Sequence, residues 1–197
     1  MMDEFLEQFL IILLATELAS ILFLHLGSRM LNNPIMIKLG QKAHDKKMRA
    51  LDKMWPLTKI RPALAEDNPR AVTVILSSLI ILKSIMCFFL GVIVVFWLPL
   101  ACLMVPSIIH RHDPDDQGLQ AWVKKVSLSQ VTSHALAASL GASLFLAGYN
   151  GGSMDWDALF MTINNHGNLV MITMFLSLIW ATKAGSAETD GILKRGI

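Results

Sequence analysis

The chain has 197 residues, of which 54% are hydrophobic and 16% charged, with a formal net charge of +2. Soluble domains carry about 25% charged residues; here the charges are fewer and clustered, leaving uncharged apolar runs of the roughly 18 or more residues that mark membrane-crossing helices. A soluble globular domain is thereby excluded, and the expected fold is an all-α polytopic membrane protein in which residues 1–197 form a single bundle.

The first apolar block covers residues 5–27. Before and at its start, MMDEFLEQFL carries Asp3, Glu4 and Glu7 and no base. A cleavable signal peptide needs a basic n-region and a small-residue cleavage site, so this span is expected to stay in the mature protein. Glu17 sits near its middle and His25 near its end.

Residues 28–70 hold ten Lys and Arg against four acids. Within IMIKLGQKAHDKKMRALDKMW, the bases Lys38, Lys42, Lys46, Arg49 and Lys53 recur at steps of four, four, three and four, which stacks them on one face of a helix. Ile37, His44, Met48, Leu51 and Trp55 fall on another side. The pattern predicts a basic amphipathic helix in the headgroup layer, where each base adds roughly 1 kcal/mol of attraction to an anionic surface. Anionic lipid headgroups or a cytoplasmic protein are the expected partners of residues 35–55. One such helix beside a membrane is not a nucleic-acid-binding module, and no nucleic-acid partner is expected. Pro56 and Pro62 stop the helix.

The second block, residues 71–110, is 40 residues long, with Lys83 its one Lys, Arg, Asp or Glu. As a single helix it would measure about 60 Å, twice the roughly 30 Å hydrocarbon core. A tight hairpin is expected, spans 71–90 and 92–110 turning near Gly91, the alternative being a longer or re-entrant helix kinked at Pro99 and Pro106. Blocks 128–148 and 159–182 bring the total to five spans. In the first of these, Ser133, Ala137 and Gly141 stand at i, i+4 and i+8, a spacing that lets two backbones approach closely. In the second, TINNHGN puts Asn164, Asn165, His166 and Asn168 into an otherwise apolar helix. Lipid offers no hydrogen bonds, so some of these side chains are expected to face neighbouring helices.

Charge sets the expected orientation, because cytoplasmic flanks carry excess Lys and Arg. Residues 28–70 are placed in the cytoplasm, which puts the acidic N-terminus outside. Arg111, Lys124 and Lys125 return to the cytoplasm after the hairpin, the acidic link YNGGSMDWDA falls outside, and Lys183, Lys194 and Arg195 fall inside. The termini are therefore expected N-out and C-in, with a bacterial inner membrane as the location.

Ionisable groups at membrane depth call for a partner. Glu17 and Lys83 fall at similar depths, about 6 Å apart along the normal at about 1.5 Å per residue, and are read as an interhelical pair that fixes register. The alternatives are a protonated Glu17 bonded to Ser77 or Ser78, and a proton or ion relay. His25 with His134 could supply the two axial ligands of a b-type haem. The run HRHDPDD offers His110, His112, Asp113, Asp115 and Asp116 to a divalent metal, though Asp-Pro-Asp-Asp is also an ordinary turn composition. Cys87 and Cys102 show no metal-type spacing and read as buried thiols.

No P-loop, HExxH, GxGxxG or GxSxG stretch is present, and five spans do not divide into the inverted halves of many transporters. The expected function is a non-enzymatic membrane subunit: a scaffold, assembly or channel component of a larger complex for secretion, transfer or energy coupling, partnered by other membrane subunits or by copies of itself. One alternative is a b-type cytochrome or metal-binding membrane protein; another is a permeation path through Glu17, Lys83, Asn165 and His166.

Overall fold

A computed structural model of the chain describes residues 3–29, 67–112 and 117–195, together with Pro34, Ile35, Lys38 and Lys42. It is almost entirely helical. The helices are α1 (Glu4–Arg29), α2 (Pro69–Phe89), α3 (Gly91–His112), α4 (Gln117–Gly148), α5 (Trp156–Asn165) and α6 (Gly167–Arg195), with a two-stranded ribbon, Tyr149–Asn150 against Ser153–Met154, between α4 and α5. Among the described residues, α1, α2, α4 and α6 are long and apolar enough to cross a membrane, and α3 adds a shorter apolar stretch, Gly91–Leu103. These are the helices of an all-α integral membrane protein.

Local chemistry starts and stops these elements. The Asp3 carboxylate accepts from the Phe5 amide at 3.0 Å at the head of α1. Asn68 caps α2 by accepting from the Ala71 amide at 3.2 Å, with Pro69 at the first helical position, where its missing N–H is not needed. Asp155 caps α5 by accepting from the Ala158 amide at 3.0 Å.

α4 is the centre of the bundle. Residues Ala135–Leu144 are all buried, on every side of the helix, because α1, α2, α3 and α6 all pack around it. Phe5 and Phe9 of α1 lie against Leu140 and Leu144, and Leu24 lies with Val131 and Cys102, so α1 runs antiparallel to α4. Ser84 of α2 meets Ser133 and Phe88 meets Gly141, so α2 runs parallel to it. Gly91 meets Ala138 and Gly141 and Cys102 meets Val131, so α3 runs back down. Thr189 of α6 reaches Thr73 of α2 at 3.0 Å while Ser177 reaches Ser133, so α6 is antiparallel to both.

The expected hairpin is present with a different shape. Leu90 alone separates α2 from α3, its N–H donating to Met86 O and its carbonyl accepting from Val94 N, each at 3.0 Å. The two arms barely touch each other and instead straddle α4. Glycine makes this possible: a Cβ on Gly141 would run into the Phe88 backbone, and one on Gly91 would lie 2.7 Å from Ala138 O. Both backbones approach α4 more closely than any larger residue allows.

The last span also differs. Residues 159–182 are not one helix: α5 ends at Asn165, His166 forms the turn, and α6 starts at Gly167. α6 then continues past Thr182 to Arg195, burying Ala184, Gly185, Ala187, Thr189 and Ile192. Gly185 lies against Ser77, where a Cβ would stand 2.7 Å from the Ser77 amide nitrogen, and Ile192 packs on Val72 and Leu76. Likewise α4 begins at Gln117, well before residue 128. Helix here outlasts the apolar runs that announce it.

Candidate functional site

Three consecutive residues of α4 gather the polar groups of the bundle. Successive residues turn a helix by about 100°, so Thr132, Ser133 and His134 between them reach three neighbouring helices. Thr132 turns its side chain toward the Glu17 carboxyl of α1. Ser133 faces α6 and α2: its hydroxyl donates to Ser177 O at 2.9 Å and lies 2.8 Å from Ser84 Oγ. Ser177 returns the contact, donating to Ser133 O at 2.9 Å. His134 places Nδ1 2.9 Å from Ser84 Oγ. Lys83 lies beside His134 and one turn from Cys87.

These contacts form a layer across the bundle, one residue deep on α2 and α6. Ser84, Ser133 and Ser177 are all buried, and each hydroxyl finds a partner, as a site without water requires. Serine suits the position because its side chain bonds across helices without separating them. Other hydroxyls turn inward on their own helix: Thr16 donates to Ile12 O at 2.7 Å, Ser20 to Thr16 O at 2.7 Å and Ser143 to Ser139 O at 2.8 Å. Ser77 Oγ and Ser139 Oγ are buried with no hydrogen-bond partner among the described residues.

Glu17 and Lys83 do not meet. Among the described residues Lys83 makes neither an ion pair nor a hydrogen bond, and its side chain is exposed although Ser84 beside it is buried. α4 stands between the two: Glu17 is reached through Thr132 and Lys83 lies beside His134. Ser77, an alternative partner for Glu17, faces Gly185 of α6 instead, and Ser78 is exposed. Thr132 and His134 differ by two residues of α4, about 3 Å of rise.

The histidines are dispersed. His134 points to α2, whereas His25 is exposed on α1, a helix that packs on α3 and on the other flank of α4. The structure thus does not bring these two together as facing ligands. Among the described residues, no three His, Cys, Asp or Glu side chains converge as a metal site would require. The side chains of His110 and His112, and the whole of Asp113, Asp115 and Asp116, lie outside the described residues, so the HRHDPDD reading does too. Of the basic face, Lys38 and Lys42 are helical and exposed; Lys46, Arg49 and Lys53 lie outside the described residues.

The TINNHGN cluster sits at the end of the bundle that holds the α1 N-terminus, not within a continuous span. His166 Nε2 lies 3.6 Å from the Asp3 carboxylate, and its ring stacks on Phe5 with centroids 4.7 Å apart. Asn164, Asn165 and Asn168 are exposed. One side chain of the four makes the expected cross-helix contact. The small-residue stripe Ser133, Ala137, Gly141 is wholly buried, and its neighbours are helices of this same chain.

No protein-family model, no curated protein and no solved structure matches this chain. Its chemistry is therefore read from its own residues.

Sequence reasoning missed the serine layer. Ser177 is an isolated polar residue in an apolar run and Ser84 stands beside Lys83 in another, and the available signal is that each hydroxyl needs a partner in lipid. Ser133 was legible as a small packing residue; that its hydroxyl joins three helices depends on the fold.

Proposed function

We propose that the protein is a non-enzymatic integral membrane subunit that works by binding other membrane chains. The observation that carries this reading is Lys83. An ammonium group at mid-helix, on an outward face of α2, costs roughly 2.5–3.5 kcal/mol or more in lipid, and nothing in the described part of the chain neutralises it. A carboxylate on another chain removes that penalty. The internal polar groups do not compete with this reading: the chain His134–Ser84–Ser133–Ser177 runs across the bundle between helices, so it ties helices together and does not lead from one side to the other.

Five crossings with the N-terminus outside and the C-terminus in the cytoplasm form part of the same proposal. The alternation of chain direction among α1, α2, α3, α4 and α6 supports it, as does the clustering of bases in residues 28–70. A bacterial inner membrane suits the strong charge asymmetry. Purification of the full chain in a gentle detergent tests the central claim. A stable assembly with other copies or chains is expected; a monodisperse single chain in both detergent and lipid nanodiscs overturns it.

A further inference from the structure

The geometry points to a second copy of this chain as the partner of Lys83, with Glu17 of one copy pairing with Lys83 of the next in a head-to-tail assembly. This rests on the subunit reading above and names its partner.

Three observations carry it. The first is depth. α1 runs along α4 with Phe9 against Leu140 and Leu24 beside Val131, which sets Glu17 between those two levels, and Lys83 adjoins Ser84, whose hydroxyl lies 2.9 Å from His134 Nδ1 in the same stretch of α4. The second is direction. α1 and α2 each pack along α4 and scarcely touch one another, so the carboxylate and the ammonium lie on opposite flanks of α4. A charge and its complement at one height on opposite flanks is the arrangement a repeating side-by-side contact requires. The third is the setting. Leu14 and Ile21, one turn either side of Glu17, are 58% and 47% exposed, and Leu79 and Met86, one turn either side of Lys83, are 48% and 54% exposed. Each charge is thus framed by apolar side chains free to pack against another helix.

Symmetry decides between the ways two copies can meet. A two-fold contact through α2 would set Lys83 against Lys83, and one through α1 would set Glu17 against Glu17; like charges at close range in lipid are strongly unfavourable. A contact between unlike faces pairs every interior charge with its opposite and repeats from copy to copy, closing into a ring where the rotation allows.

The test uses the full chain in detergent and in nanodiscs, read by native mass spectrometry and single-molecule photobleaching. Wild type is expected as a homo-oligomer. Glu17→Lys and Lys83→Glu are each expected to weaken self-association by roughly 100-fold or more, the loss that follows when one member of a buried pair is removed. Mixing these two variants is expected to restore assembly. The first variant keeps its native Lys83 and the second its native Glu17, and these pair across one contact; the two substituted side chains, again one base and one acid, pair across the next. Glu17→Gln and Lys83→Met, which insert without a reversed charge, are expected to weaken assembly in the same direction. Homo-oligomers that survive both reversals, or a mixture that stays dissociated while each variant remains folded by circular dichroism, overturn the pairing. A single copy bound to different chains overturns the pairing and leaves the subunit reading intact; a lone monomer overturns both.

Discussion

α1 and α4 lie side by side and are built from opposite materials. Of the most apolar stretch of α1, 22% is buried; of α4, 72%. Yet α4 is the less apolar of the two, and its run SHALAASLGAS, buried at every position but His134, is mostly Ala, Ser and Gly. In a soluble protein the more hydrophobic helix goes inside. In a bilayer the outside is hydrocarbon, and no hydrophobic force drives helices together. What selects a central helix there is how closely its neighbours can approach and whether its polar groups find partners. α4 satisfies both conditions: Gly141 admits Phe88 and Gly91, and Ser133 and His134 bond to α2 and α6. α1 instead turns Ile11, Leu14, Leu18 and Leu22 outward.

Substitutions break or sharpen that contrast. The largest effect is expected from Gly141→Leu, whose side chain has no space beside the Phe88 backbone; a loss of at least about 3 kcal/mol, at the upper end of overpacking penalties, should appear as failed folding or a steep fall in melting temperature in detergent. Gly185→Ala adds a single methyl against the Ser77 backbone at the α2–α6 contact, and about 1–3 kcal/mol of destabilisation is expected in the same assay. Ser133→Ala removes the hydroxyl shared by Ser84 and Ser177. A loss of about 0.6–1.7 kcal/mol is expected, with a double-mutant cycle against Ser177→Ala showing coupling.

His166→Ala cuts the contacts with Asp3 and Phe5 at the end of the bundle. Asp3 is 55% exposed, so solvent screening holds the expected cost to roughly 0.2–1 kcal/mol. Leu14→Ala, on the outward face of α1, is expected to change the stability of the isolated chain by less than about 0.5 kcal/mol. If Leu14→Ala proves as damaging as Gly141→Leu, the contrast between the two helices fails.

Much of the architecture was legible beforehand. Unbroken apolar runs locate α1 and α2 to within about two residues, and Gly91 marks the hairpin. The small-residue spacing in α4 announces close packing. What the sequence hides has a common cause: hydropathy registers contact with lipid and misses helix stabilised by contact with protein. Beyond Thr182, α6 carries Lys183, Glu188, Asp190, Lys194 and Arg195, so the apolar run ends at Thr182, but its small residues continue along α2. The break at His166 was hidden because Asn165 and Gly167 interrupt a run whose average remains apolar.

The sequence by itself determined that this chain is helical and that its helices suit a membrane, because hydropathy and helical period are local properties that add along the chain. Only the tertiary structure decided which faces meet. It placed α4 between Glu17 and Lys83, drew Ser84, Ser133 and Ser177 into one layer, and turned the small-residue stripe inward. Those outcomes depend on backbone approach and on pairing between segments distant in sequence, and a one-residue difference in position around α4 changes the neighbour by about 100°.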